Sequence, residues 1–368
     1  MKLNPLVLDA ARDRATPLLV VDRAVLRRKY REIRDGLGAV EVFYAVKANP
    51  HPEVSRVLAE MGAGFEVSSP AELDLALEAG AAPERIISSN PVKPPAFIAE
   101  AYRRGVRFFA FDSEAEVRKL AAHAPGSMVY VRLAVDNSGA EWPLAKKYGV
   151  GPYEAVDLLE MAGRSGLVPY GITFHVGSQC LSAESWVEAL CLCDEVWRAL
   201  QRRGVQLEMI SLGGGLPVPH LRPVPSAAEI GRAVERAMKE LFAGERVRLT
   251  VEPGRALVGE AGVLVASVVG KARRGMDTWV YLDAGAFNAL METLQGFRYE
   301  LLTERTGPPV RCTVAGPTCD SVDTLFADVE LPELEVGDRV YVLNAGAYTL
   351  SYASSFNGFA PPEVVFVN

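Results

Sequence analysis

A strand-then-helix alternation, repeated eight times, constrains this chain more than any other feature. Short apolar runs at 42–46, 64–68, 85–89, 107–111, 129–135, 171–175, 209–212 and 249–252 are separated by stretches of helical periodicity, among them "PEVSRVLAEMG", "AELDLALEAG", "PAFIAEAYRRG" and "EAEVRKLAAHA". Several of these close on Gly, which takes the left-handed cap position without a Cβ penalty. Eight β/α units is the number that closes a barrel. After Arg255 the rhythm changes: "GVLVASVVGKARR", "TWVYLDAGAF", "PVRCTVAGP", "DRVYVLNAGAY" and "EVVFV" are strand-like, with few helical intervals. The pattern therefore predicts an α/β chain: a (β/α)8 TIM-like barrel over 25–255, followed by a β-sheet or β-barrel domain made from 1–24 and 256–368. The early "TPLLVVD" is expected to pair with that second domain.

Composition narrows the function classes. With 49% apolar and 23% charged residues in 368, the chain has the balance of a soluble globular protein with a sizeable core. Lys plus Arg number 39 against 46 Asp plus Glu, and the resulting net charge of −7 argues against nucleic acid or anionic lipid as a main partner. The opening "MKLNPLVLDAARDR" lacks the apolar core of a signal peptide, and no later run approaches a membrane span. Five cysteines without a Cys-x-x-Cys spacing fit reduced thiols and a cytoplasmic location. Four scattered histidines suggest no metal site.

Chemistry on a barrel belongs at the carboxyl ends of its strands, with phosphate commonly bound after the seventh and eighth. The seventh candidate strand runs into "SLGGGLP", where Gly213, Gly214 and Gly215 let backbone N–H groups approach an anion; a flexible turn is the bland alternative. The eighth runs into "VEPGR", placing Glu252 and Arg255 there as acid and forked donor, or as a surface ion pair. The first, in "EVFYAVKANPHPE", ends on Lys47. Most lysines are solvated rim residues, but one at a strand tip facing a phosphate pocket is placed to form a Schiff base with pyridoxal 5′-phosphate. A carboxylate such as Glu252 at the pyridine nitrogen would strengthen that cofactor as an electron sink. His175, in "FHVGSQ", is either a further site residue or a buried structural histidine.

Taken together, "YAVKAN", "GFEVSS", "FHVGSQ", "LGGG", "EPGR", "GPTCDSVD", "AGAYT" and "SSFNGF" resemble the ornithine decarboxylase family, the barrel-type pyridoxal-phosphate decarboxylases, over nearly the whole chain. The bacterial ornithine/lysine decarboxylase branch is the most similar, through "FAFDSEAE" and "WPLAKKYG". The resemblance implies that Lys47 holds the cofactor, that Glu252 pairs with its ring nitrogen and that His175 stacks on its face. It implies that Ser178, Gly213 to Gly215, Arg255 and Tyr348 hold the phosphate, with Ala45, Glu66 and Arg132 lining the pocket. Members are homodimers with shared active sites. Cys319 would thus protonate Cα, and Asp320 grip the distal amine, in the neighbouring subunit's site, while Lys147 would pair with Asp323 across the interface.

Substrate choice turns on the residue after the cysteine. Asp320 stands where ornithine and lysine decarboxylases have aspartate and diaminopimelate enzymes have glutamate, so L-ornithine is favoured, yielding putrescine and carbon dioxide. In "FNALMETLQGFRYE" the family's second acid has no clear equivalent: Thr293 occupies the position and Glu292 is the nearest acid, with Phe356 also assigned to the substrate pocket. L-Lysine, L-arginine or another amine-bearing amino acid is the alternative. A non-catalytic regulatory homologue and an alanine-type racemase are the rival classes; retention of Lys47, His175, Arg255, Cys319 and Asp320 opposes the first, and Glu252 at the ring nitrogen opposes the second.

Overall fold

A computed structural model describes residues 3–144 and 146–368. The apolar runs form eight parallel strands, Val40–Ala45, Gly64–Glu66, Ile86–Ser88, Phe108–Phe111, Met128–Arg132, Val168–Thr173, Met209–Ser211 and Arg248–Val251, which close into a barrel. Closure is made by the last strand on the first, with Leu249 opposite Val40 and Val251 opposite Val42. Helices alternate with the strands, including Pro52–Glu60, Pro70–Glu78, Pro95–Arg103 and Glu114–His123. Their starts are written in the sequence. Ser69, Ser113 and Ser226 each cap a helix by accepting from a backbone N–H, and Ser226 with Glu229 forms a reciprocal capping box.

The barrel interior is filled by side chains of unequal size. Phe43, Ile87, Phe108, Ala110, Tyr130 and Met209 form one buried cluster. Gly64 makes room for it, because a Cβ there would lie 2.5 Å from the Phe43 ring. Large and small residues thereby interlock, as dense cores require.

At the amino-terminal end of the barrel, Glu41 accepts from Arg248 Nε at 2.6 Å and Nη2 at 3.0 Å, and is also paired with Arg85. The Arg248 guanidinium lies 5.3 Å from the Phe108 ring centroid. These bonds to Arg248 hold the Glu41 carboxyl below its usual range. A depressed carboxyl stabilises the fold above its unfolded value, and this contribution disappears as pH falls through the folded value. Glu41→Gln should therefore lower stability at neutral pH by about 1 kcal/mol, the half-exposed setting limiting the effect. It should also flatten the acid limb below about pH 4. Thermal unfolding of both proteins at pH 7 and pH 4 checks this, and equal melting curves at pH 7 would remove the clamp from the account.

The chain divides into two units. One holds Arg27–Pro217 and Val224–Ala256, the barrel; the other holds the chain up to Leu26, Val218–Pro223 and Leu257–Asn368. The short excursion 218–223 has no signal in the hydrophobic pattern, which assigns it to the barrel. The second unit is an eight-stranded mixed sheet. Its longest strand, Gly262–Arg274, pairs with Leu18–Asp22 and Arg339–Val342 along its first half and with Asp277–Leu282 along its second, with a register break between Val268 and Gly270. Leu18–Asp22 also pairs in parallel with Glu363–Val367, so "TPLLVVD" joins this sheet as expected. Two strands were not legible as such, Leu301–Thr303 and Thr324–Pro332. The first is too short to carry a pattern, and the second is interrupted by exposed Ala327 and Asp328.

Candidate active site

The strand ending in Tyr44 and Ala45 does not run on to Lys47. It stops at Ala45, and Val46–Ala48 forms a single 3-10 turn. Asn49, 1% exposed, fixes the turn: its N–H donates to the Val46 carbonyl at 3.1 Å, and its own carbonyl accepts from the Tyr44 hydroxyl at 2.9 Å. Lys47 is thus lifted off the barrel wall, its side chain 54% exposed and its Nζ 3.7 Å from the Glu66 carboxylate. Glu66, at the end of the second barrel strand, is buried and accepts from Ser68 Oγ at 3.1 Å.

Across the mouth the glycine loop is shaped by contact with its neighbours. Gly213 has φ +63°, and a Cβ there would land on the Phe174 carbonyl oxygen. A Cβ on Gly214 would lie 3.0 Å from His175 Nε2. His175 is partly buried; its Nδ1 accepts from Gly177 N at 3.0 Å, and its carbonyl accepts from Asn137 Nδ2 at 3.0 Å. Burial, with Arg132 and Lys47 nearby, pushes its pKa well below the ordinary value, so the imidazole is neutral.

Glu252 follows the eighth strand. Its backbone N–H donates to the Gly213 carbonyl at 2.8 Å, and Oε1 accepts from Ser211 Oγ at 2.5 Å. Burial and the neighbouring Glu66 raise its pKa, while hydrogen bonds from Ser211 and Ser89 and the Lys47 charge act against that rise. Arg255, 5% exposed, opens the next short helix and lies 5.3 Å from the Trp142 ring centroid. Trp142 belongs to Ala140–Trp142, which pairs with Ser178–Cys180, so Ser178 stands opposite Trp142. Arg132 ends the fifth barrel strand with its guanidinium 5.3 Å from the Tyr148 ring, and Lys147 Nζ is 5.0 Å from the same ring.

The fold therefore gathers Ala45, Lys47, Glu66, Arg132, His175, Ser178, Gly213 to Gly215, Glu252 and Arg255 at the carboxyl ends of the barrel strands. Tyr348, Cys319, Asp320, Asp323, Glu292 and Phe356 lie in the sheet unit. There Cys319 is exposed, its N–H donating to Asn357 Oδ1 at 3.3 Å next to Phe356. Phe356 packs on Phe287 at 4.6 Å. Asp320 Oδ1 accepts from Val322 N at 2.9 Å. Tyr348 has φ +65°, a conformation that bulky residues rarely adopt and that marks a constrained position.

Two assigned acids are turned inward. Asp323 is 2% exposed and accepts from Ala286 N, Thr318 N and Thr318 Oγ1 at 2.7, 3.1 and 2.7 Å. Glu292 is 7% exposed, with the Tyr299 hydroxyl donating to Oε2 at 3.2 Å. Ser89, Ser211 and Tyr130 were not singled out by sequence. The two serines stand at the tips of candidate strands, which is a signal, but serine carries no titratable group to draw notice.

Residues 23–259 match the family described as pyridoxal-dependent decarboxylase, pyridoxal binding domain. The chain belongs to this family. The lysine/ornithine decarboxylase of Selenomonas ruminantium is 37% identical over 95% of this chain and 90% of its own. The structure of SrLDC in complex with PLP and cadaverine superposes with a TM-score of 0.92 at 35% identity, covering all of this chain and 94% of that one. The lysine/ornithine decarboxylase of Vibrio vulnificus, solved with putrescine, gives a TM-score of 0.92 at 32% identity, covering 99% and 98%. This chain is a pyridoxal-phosphate-dependent decarboxylase of basic amino acids. The decarboxylase's own residues fit that cofactor: a glycine loop without room for side chains, an exposed Lys47 amine, and a Glu252 carboxylate held by Ser211. Among the described residues no His, Cys, Asp and Glu cluster suits a metal, and no helix is long and apolar enough to cross a membrane.

Proposed function

We propose that the enzyme converts L-ornithine to putrescine and carbon dioxide in preference to L-lysine. When bound, pyridoxal phosphate supplies the electron sink that accepts the pair left by carbon dioxide. Lys47 would supply the amine that holds the cofactor. Glu252 would keep the ring nitrogen protonated, and neutral His175 would place no second positive charge beside the ring. The N–H groups of Gly213 to Gly215, with Ser178 and Arg255, would hold the phosphate, while Ala45, Glu66 and Arg132 would line the pocket. Cys319, an exposed thiol, returns a proton to Cα.

The observation that carries the substrate assignment is Asp320, beside that thiol. A carboxylate there rewards a distal ammonium and is left unpaired by a substrate lacking one. Glu292, bonded to Tyr299, acts behind it by fixing the Met291–Gln295 turn that bounds the pocket. Two copies share their sites in this reading, with Cys319 and Asp320 serving the second copy. Lys147 pairs with Asp323 of that copy by drawing on oxygens that also accept from Thr318 and Ala286. The −7 net charge and reduced cysteines fit a cytoplasmic enzyme without nucleic-acid partners.

Carbon dioxide release from L-ornithine, L-lysine, L-arginine and meso-diaminopimelate, with cofactor added, tests this. The expected order is ornithine above lysine, with the other two far below. A preference for lysine or arginine would reject the ornithine assignment and mean that "METLQGF" has lengthened the pocket.

A further inference from the structure

Glu252 is surrounded by hydroxyl groups arranged in series. Ser211 Oγ has one proton and gives it to Glu252 Oε1 at 2.5 Å; the same oxygen accepts from Gly213 N at 3.2 Å. Ser89 acts with Ser211 to lower the Glu252 pKa, and its Oγ lies 2.7 Å from the Tyr130 hydroxyl. Either oxygen of that pair can donate; with Glu252 ionised and accepting the Ser89 proton, Tyr130 is the donor to Ser89. Tyr130 is fully buried, and burial with the nearby Glu252 charge keeps its proton in place. The residue after Ser89 is anchored by Lys93, whose Nζ donates to the Asn90 and Ala110 carbonyls at 2.8 and 2.6 Å and pairs with Glu116 at 3.0 Å.

We propose that Ser89, Ser211 and Tyr130 form a hydroxyl clamp that keeps Glu252 ionised, and so keeps the proton on the cofactor's ring nitrogen. The inference rests on the assignment of Glu252 to that nitrogen. A proton shared by two bases resides on the stronger one. Burial and Glu66 make Glu252 the stronger base, whereas Lys47 and each donated hydrogen bond weaken it. Without the clamp the proton moves to the carboxylate, and the ring becomes a poorer electron sink. The three are positioning residues, since they act through Glu252.

The test loads full-length protein with pyridoxal phosphate labelled with nitrogen-15 in the ring and reads that nucleus by NMR across neutral and mildly alkaline pH. Wild type should give the pyridinium position. Ser89→Ala/Ser211→Ala should move it toward neutral pyridine and lower turnover by about tenfold per hydroxyl, the scale of a bond to a charged group. Ser89→Thr and Ser211→Thr should restore both. Tyr130→Phe, which keeps the volume, should show a partial shift even if the double variant fails to fold. A pyridinium signal unchanged in a cofactor-loaded serine or Tyr130 variant overturns the clamp. Glu252→Gln separates the two levels. A shift there without one in the clamp variants rejects only the clamp, and no shift even there rejects the Glu252 assignment itself.

Discussion

Lys47→Ala is expected to lose turnover by about a thousandfold or more, some 4 kcal/mol of transition-state stabilisation, while remaining folded. The side chain is half exposed and leans on Glu66 from 3.7 Å, so its packing contribution is small. Its removal should change stability by no more than about 0.5 kcal/mol. The absorbance of lysine-bound cofactor should disappear, and borohydride reduction should no longer fix added cofactor to the chain. Full activity in the variant would end the assignment of Lys47. The same protein probes sharing between copies. Under the proposed sharing between two copies, mixing with Cys319→Ala protein under subunit exchange makes half the pairs hybrids with one intact site in two, so activity should recover to about a quarter of wild type. No recovery despite demonstrated exchange would place each site within one copy.

Gly213→Ala is expected to damage both fold and binding. The backbone at φ +63° already disfavours a side chain by about 1 kcal/mol. The new Cβ would also meet the Phe174 carbonyl oxygen, a backbone atom with no rotamer through which to retreat. The loop must shift, and with it Gly213 N, which donates to Ser211, and Gly213 O, which accepts from Glu252 N. A stability loss of about 3 kcal/mol and at least a hundredfold weaker cofactor affinity follow. Thermal unfolding with and without cofactor, together with an absorbance titration, measures both. Gly214→Ala is the comparison. Its Cβ would approach His175 Nε2 and the Glu252 carbonyl at 3.0 Å, so affinity should suffer more than stability. If Gly213→Ala binds cofactor like wild type, the glycine loop is not the anion cradle.

What could be read beforehand follows from how far each feature depends on distant contacts. The barrel strands were visible because parallel strands covered on both faces are continuous apolar runs, and the helices because serine caps and closing glycines punctuate them. Lys47, Glu252 and the glycine loop could be placed at the mouth because topology alone puts strand ends there. What escaped depends on rotamers and on pairings remote in sequence. The inward turn of Asp323 arises from donors at Ala286 and Thr318, and that of Glu292 from Tyr299. Nothing in "DSVD" or "METLQ" specifies that direction. The strand Thr324–Pro332 is recognisable only beside its partner Pro309–Ala315, with which its register slips twice.

The strand Leu18–Asp22 has a consequence for biogenesis. It lies between Gly262–Arg274 and Glu363–Val367, both translated long after it. At about 5–20 residues per second it waits roughly ten seconds or more for the first neighbour and longer for the second. Throughout that interval the ribosome displays an apolar segment, Leu-Leu-Val-Val, with both edges open. Every strand of the barrel emerges before either neighbour does. The nascent chain can thus complete its catalytic half while its opening strand is still a client for chaperones.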